Sequence, residues 1–155
     1  MSTTTHTTAA PERLTVGGDE VVVRVGAAES GGALLVLDVA IPPGGGPPAL
    51  HRHDPAEVYR VEDGELAFYR ADDGGAPRRS TGGPGDVVHI PGGAEHTIRN
   101  ESGRTARASV TFVPGAPMEA FVRAAAALDP GRATMDEVVA LAARHGVEIT
   151  RPLGR

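Results

Sequence analysis

Glycine and proline fall in clusters along this chain, and the clusters cut it into short apolar runs. The 155 residues hold 21 glycines and 13 prolines, gathered at Gly17-Gly18, Gly31-Gly32, Pro42 to Pro48, Gly74-Gly75, Gly82 to Gly85 and Pro91-Gly92-Gly93. Glycine supplies the backbone freedom of tight reversals, and proline fixes φ and removes a donor, so no long helix or strand can run through them. Between the clusters lie strand candidates at 20–25, 33–41, 57–62, 65–70, 86–90, 96–99 and 105–113. This punctuation fits an all-β sandwich or barrel. The length suits one domain and no internal repeat is visible, so one barrel is expected.

Alternation assigns faces. Period two puts Glu57, Tyr59 and Val61 on one side of their strand, Leu66 with Phe68, and Ala106 with Ala108, Val110 and Phe112. The run 33–41 is apolar on both faces except at Asp38. It should therefore be covered on both sides, by the barrel interior and by either the terminal helices or a second subunit. Since 21–23 is apolar as well, a homodimer is expected; an isologous two-fold pair is the commonest soluble assembly.

The last forty residues change period. Met118, Phe121, Val122 and Ala125 recur at helical spacing, and Pro130-Gly131 ends that run. Thr134 and Glu137 form a capping box ahead of a second helix, with Met135, Val138, Val139 and Ala142 as its apolar stripe and Gly146 as its stop. Three segments are expected: a disordered tail over 1–12, a barrel over 13–115 and a helical hairpin over 116–155 packed on it.

Composition excludes several chemistries. There is no cysteine and no lysine, which removes disulfides, thiolate ligands and Schiff-base lysines. A net charge of −5 and five aromatic residues argue against a nucleic-acid partner. The Thr-rich N-terminus lacks the basic start and apolar run of a signal peptide, and no stretch approaches eighteen apolar residues. A cytoplasmic protein without a membrane partner is expected.

Four residues carry a candidate site. His51 and His53 lie two apart, so on an extended segment their imidazoles project to one side; Glu57 heads the next strand, and His96 follows the Pro91-Gly92-Gly93 turn. Three imidazoles and one carboxylate suit Fe, Ni, Mn, Co, Cu or Zn better than the all-oxygen shells of Ca or Mg. One divalent transition metal per chain is expected, with one or two coordination positions left for a small-molecule substrate. Tyr59 and Phe68 share inward faces near Glu57 and are candidate pocket residues, as is His89. Glu95 adjoins His96 and is expected to point away from it; His6 and His145 read as surface residues.

The segment Gly45-(x)5-His51-x-His53-(x)3-Glu57-(x)6-Gly64 resembles the first motif of the cupin superfamily. The segment Gly85-(x)5-Pro91-x-Gly93-(x)2-His96-(x)3-Asn100 resembles the second. Twenty residues separate them, and together they cover a little over a third of the chain. The resemblance implies a jelly-roll-like antiparallel β-barrel with the metal near one mouth. A single-domain cupin with three histidines and one glutamate also looks like the quercetin-dioxygenase-type proteins. That likeness implies a metal-dependent oxygenase acting on a small hydroxylated organic substrate, aromatic or polyketide-like, with Glu57 as ligand and base. The alternatives are a non-redox metalloenzyme, cyclase or isomerase, and a metal-dependent binding module.

Overall fold

The computed structural model describes residues 11–153. Residues 1–10, which include His6 and most of the expected tail, lie outside the described residues. The strand β1 (Glu12–Val16) begins at Glu12, the last residue of the segment expected as a tail. Leu14 and Val16 pack on the core and draw the segment into a hairpin with β2 (Asp19–Val25) around Gly17, whose φ of 64° makes the reversal.

Two antiparallel sheets enclose the core. The larger runs β1, β2, β3 (Leu35–Ile41), β10 (Ala106–Val113), β5 (Ala56–Asp63) and β8 (Val87–Ile90). The smaller runs β11 (Glu148–Pro152), β4 (Ala49–Arg52), β9 (Glu95–Arg99), β6 (Leu66–Ala71) and β7 (Arg78–Gly82). Alternation behaves as the sequence indicates: Glu57, Tyr59 and Val61 are buried along β5, and Ala106, Ala108, Val110 and Phe112 along β10. Leu35, Val61, Leu66 and Ala106 are fully buried where the two sheets meet, each large side chain contributing about 1.5–3 kcal/mol.

At one end of the barrel Asn100 closes the structure. Its Nδ2 donates to the carbonyls of Ile41 and Arg104, each at 2.8 Å, and its Oδ1 accepts from Ser102 N at 2.9 Å and Ser102 Oγ at 2.7 Å. Its backbone bonds Gly44 and Gly45 in both directions. Gly46 lies so close to β9 that a Cβ there would come within 2.2 Å of the Ile98 carbonyl oxygen, so only glycine fits. The start of the first motif is thus fastened to the end of the second.

The short helix α1 (Ala27–Ser30) follows β2. The helices α2 (Ala116–Ala126) and α3 (Met135–Arg144) form the expected hairpin, α2 packing on β1 and β3 and α3 on β11. Thr134 and Glu137 make the capping box reciprocally, at 3.2 and 2.8 Å. The stripe on α3 matches expectation in part: Ala142 is buried and Val138 half-buried, but Met135 and Val139 are exposed and Leu141 is buried instead.

The segment 116–155 is not wholly helical, because it ends in β11. Edge position, a closing Pro152 and an irregular register at Thr150 erase the alternation by which a strand is recognised. β7 escapes notice for a related reason: it is an edge strand exposed along nearly its whole length. On the larger sheet Leu35, Leu37 and Ile41 face inward. Leu34, just before β3, is 38% exposed, and Val58 and Val87 stand open on β5 and β8, so the helices leave part of that face uncovered. No helix among the described residues is long and apolar enough to cross a membrane.

Candidate metal centre

His51 sits on β4 directly across from His96 on β9. His53 follows β4, and the Pro91-Gly92-Gly93 turn is laid against it: Gly93 N donates to the His53 carbonyl at 2.8 Å. A Cβ on Gly92 would come within 2.1 Å of the Asp54 carbonyl oxygen, so this approach also requires glycine. Glu57 enters from the facing sheet, in register with Phe112 on one side and Ile90 on the other. Four side chains from three strands and one connection therefore meet at a mouth of the barrel.

Their hydrogen bonds fix which atoms point inward. Each Nδ1 faces a backbone carbonyl: His51 that of Ala49 at 3.2 Å, His53 that of Pro55 at 2.9 Å and His96 that of Ala94 at 2.7 Å. A carbonyl can only accept, so each Nδ1 carries a proton and Nε2 is the atom that faces inward, bare whenever the ring is neutral. The Nε2 atoms of His53 and His96 are buried without a hydrogen-bond partner. Glu57 Oε2 lies 2.7 Å from the first and 3.3 Å from the second, and no ring proton is aligned between them. The ligand-capable nitrogens of the three histidines lie within 4.8 Å of one another. Lone pairs converging in a buried space repel unless a cation lies among them, so the residues fit a divalent transition metal.

The electrostatics agree. Burial, then the neighbouring His96, pushes His51 down to about 4. Burial alone would raise Glu57, but the closeness of the His53 and His96 rings and their charge more than offset it and hold the carboxylate below its usual range. His96 is lowered by burial and raised further by Glu57, for a net rise. Burial, then the Glu57 charge, pushes the Tyr59 hydroxyl well above 10, so it stays protonated.

The expected pocket residues separate. Tyr59 stands two residues along β5 from Glu57, and its ring packs edge to face against Phe68 at 5.6 Å inside the core. His89 does not reach the site. It pairs with Val58 on the outer face of β8 and is exposed, because Ile90 and Val88 take the inward positions. His145 lies at the end of α3 beside Phe121. Phe112 is the aromatic at the site, its ring 6.0 Å from that of His53. The alternation of 106–112 turned it inward, but its depth depends on the register with Glu57, which one strand alone does not reveal.

Residues 37–113 match the cupin-domain family. The chain has the cupin fold. The matched segment contains every candidate ligand. Solved structures similar to this cupin include a variant of Bacillus subtilis oxalate decarboxylase, at 22% identity and TM-score 0.58, covering 68% of this chain and 28% of that one. The polyketide cyclase RemF from Streptomyces resistomycificus aligns at 20% identity and TM-score 0.56, covering 73% and 80%. A sugar phosphate isomerase from a cupin superfamily, of Silicibacter pomeroyi, aligns at 21% identity and TM-score 0.55, covering 67% and 71%. The chain thus spans little more than a quarter of the decarboxylase's length. These likenesses show the cupin fold. No curated protein sequence matches the chain.

Proposed function

We propose that this cupin is a metal-dependent enzyme acting on a small hydroxylated organic molecule, with oxygenation as its reaction. The observation that supports it is the set of imidazoles whose Nδ1 protons are tied to backbone carbonyls, leaving bare Nε2 atoms converging with the Glu57 carboxylate. His51, His53, Glu57 and His96 would hold the ion. A divalent transition metal bound there polarises the oxygens of a coordinated organic molecule.

The remaining chemistry belongs to the chain. Glu57 is held ionised, so it can take the proton of a substrate hydroxyl placed against it. Protonated Tyr59, two residues along β5, feels the Glu57 charge and gives the anion a polar neighbour. Phe112 flanks His53 and walls that side of the mouth with apolar surface, which excludes water from the reacting atoms. His51 is the least buried of the four, so substrate approaches over its ring.

Metal content of protein purified without an affinity tag, then oxygen uptake with a catechol-type diol or a flavonol after loading with each ion, tests this function. Glu57→Gln should lower turnover by about a hundredfold or more while weakening metal affinity far less, because an amide oxygen can coordinate but cannot accept the proton. Full loading with near-normal turnover would refute the base role. Turnover without oxygen consumption would instead identify a cyclase or isomerase.

A further inference from the structure

Glu95 stands beside His96 but faces the other way, as neighbours on a strand must. It lies on the outer side of the smaller sheet and is nonetheless only 7% exposed. Two arginines account for this. Arg151 of β11 reaches across β4 and places Nε at 2.9 Å and Nη2 at 2.7 Å from Glu95 Oε1. Arg52, the neighbour of His51, places Nη2 at 3.4 Å from Oε2, and its own Nε lies 3.4 Å from Glu148 of β11. Three strands are thereby joined through one carboxylate.

The backbone explains why such a joint matters. β4 and β9 share one paired position, His51 with His96, whereas β6 and β9 stay in register from Ala67 and Arg99 to Ala71 and Glu95. On its other edge β4 is held by β11, with Ile149 opposite His51 and the Thr150 hydroxyl donating to the Leu50 carbonyl at 3.1 Å. The strand that presents His51 is therefore weakly tied to the strand that presents His96. The arginine side chains are 36% and 45% exposed, so their ion pairs add little to global stability. Forked, charge-assisted contacts do fix geometry.

We propose that Glu95 and Arg151 are positioning residues of the metal centre, a clamp that holds His51 opposite His96 where the backbone ladder is nearly absent; this rests on the metal-binding reading of the cluster. The clamp makes β11, which contributes no ligand, part of the site.

The full chain tests it with Zn2+ or Co2+ alone as the probe. Glu95→Gln and Arg151→Gln should each weaken Zn2+ binding, measured by chelator competition, by about tenfold. Each should also shift the visible absorption of the Co2+ protein, which reports ligand geometry independently of turnover. Because the two act as a unit, the double variant should lie within about twofold of the weaker single. Arg123→Gln, which breaks the pair between α2 and Glu12, should change neither reading. Should Glu95→Gln fail to fold, Arg151→Lys keeps the charge without the fork and should give an intermediate loss and a shifted spectrum. Wild-type affinity and spectrum in a folded Arg151→Gln, with binding still abolished by His51→Ala, would overturn the clamp and leave the metal centre standing. Absence of stoichiometric binding by the unmodified chain would overturn both.

Discussion

Asn100 offers a test of what fastens the barrel. Replacing it with alanine removes four side-chain hydrogen bonds: two to the carbonyls of Ile41 and Arg104, and two from Ser102. At about 1 kcal/mol net for each, the gross loss is about 4 kcal/mol. Water can re-satisfy Ser102 and Arg104, which are not buried, but Ile41 is buried at the end of β3. A net destabilisation of about 3 kcal/mol follows, which for a domain of this size lowers Tm by about 6–12 °C. Asn100→Asp should fare no better, because it sets a second acceptor against the Ile41 carbonyl inside a fully buried site. Urea titration followed by far-UV circular dichroism gives the free energy by linear extrapolation. Zn2+ stoichiometry should survive at 25 °C, since the four candidate ligands are untouched. A loss under about 1 kcal/mol for alanine would refute the assignment of Asn100 as the fastening residue.

Three further outcomes are expected. His51→Ala combined with His53→Ala should abolish stoichiometric metal by elemental analysis while cooperative melting is retained; one tightly held ion in the double variant would show the ligands to be misassigned. In the metal-free protein Glu57 outweighs burial and raises His96, so below that raised value ion binding must expel a proton. Zn2+ affinity should therefore climb about tenfold per pH unit until His96 is neutral, with His51 adding nothing because burial holds it near 4; a flat calorimetric profile across the neutral range would contradict this. Light scattering should give twice the 15.9 kDa chain mass, and Leu34→Glu with Val36→Glu should split the pair, whereas glutamates at inward Leu35 and Leu37 should unfold the chain. A single-chain mass unchanged over a hundredfold dilution would end the dimer proposal.

What could be read from the chain beforehand divides along physical lines. The spacing of glycines and prolines and the alternation in 57–61 and 106–112 carry the barrel, because both depend only on neighbours along one strand. The candidate ligands were legible for the same reason: His51, His53, Glu57 and His96 stand at fixed offsets from turn residues. Elements without an apolar face were not. β7 and β11 exist because a neighbouring edge needs partners, and that need is recorded in β6 and β4. Glu95 was legible as pointing away from the site, but its burial beneath arginines from positions 52 and 151 is a property of pairing across the sheet. His89 shows the converse limit: its parity relative to His96 is lost in the intervening turn.

The hundred residues between Leu50 and Thr150 also bear on how the molecule is made. A chain leaving the ribosome at about 5–20 residues per second exposes the His51 strand several seconds before the strand that flanks it. During that interval β4 has one edge without its eventual neighbour, and a loop of this length must close before the pairing rewards it. The barrel's inner strands, whose partners lie nearer in the chain, can assemble first. Completion of the mouth therefore comes late in synthesis, and a nascent chain can pair its inner strands before the candidate metal ligands are fixed in place.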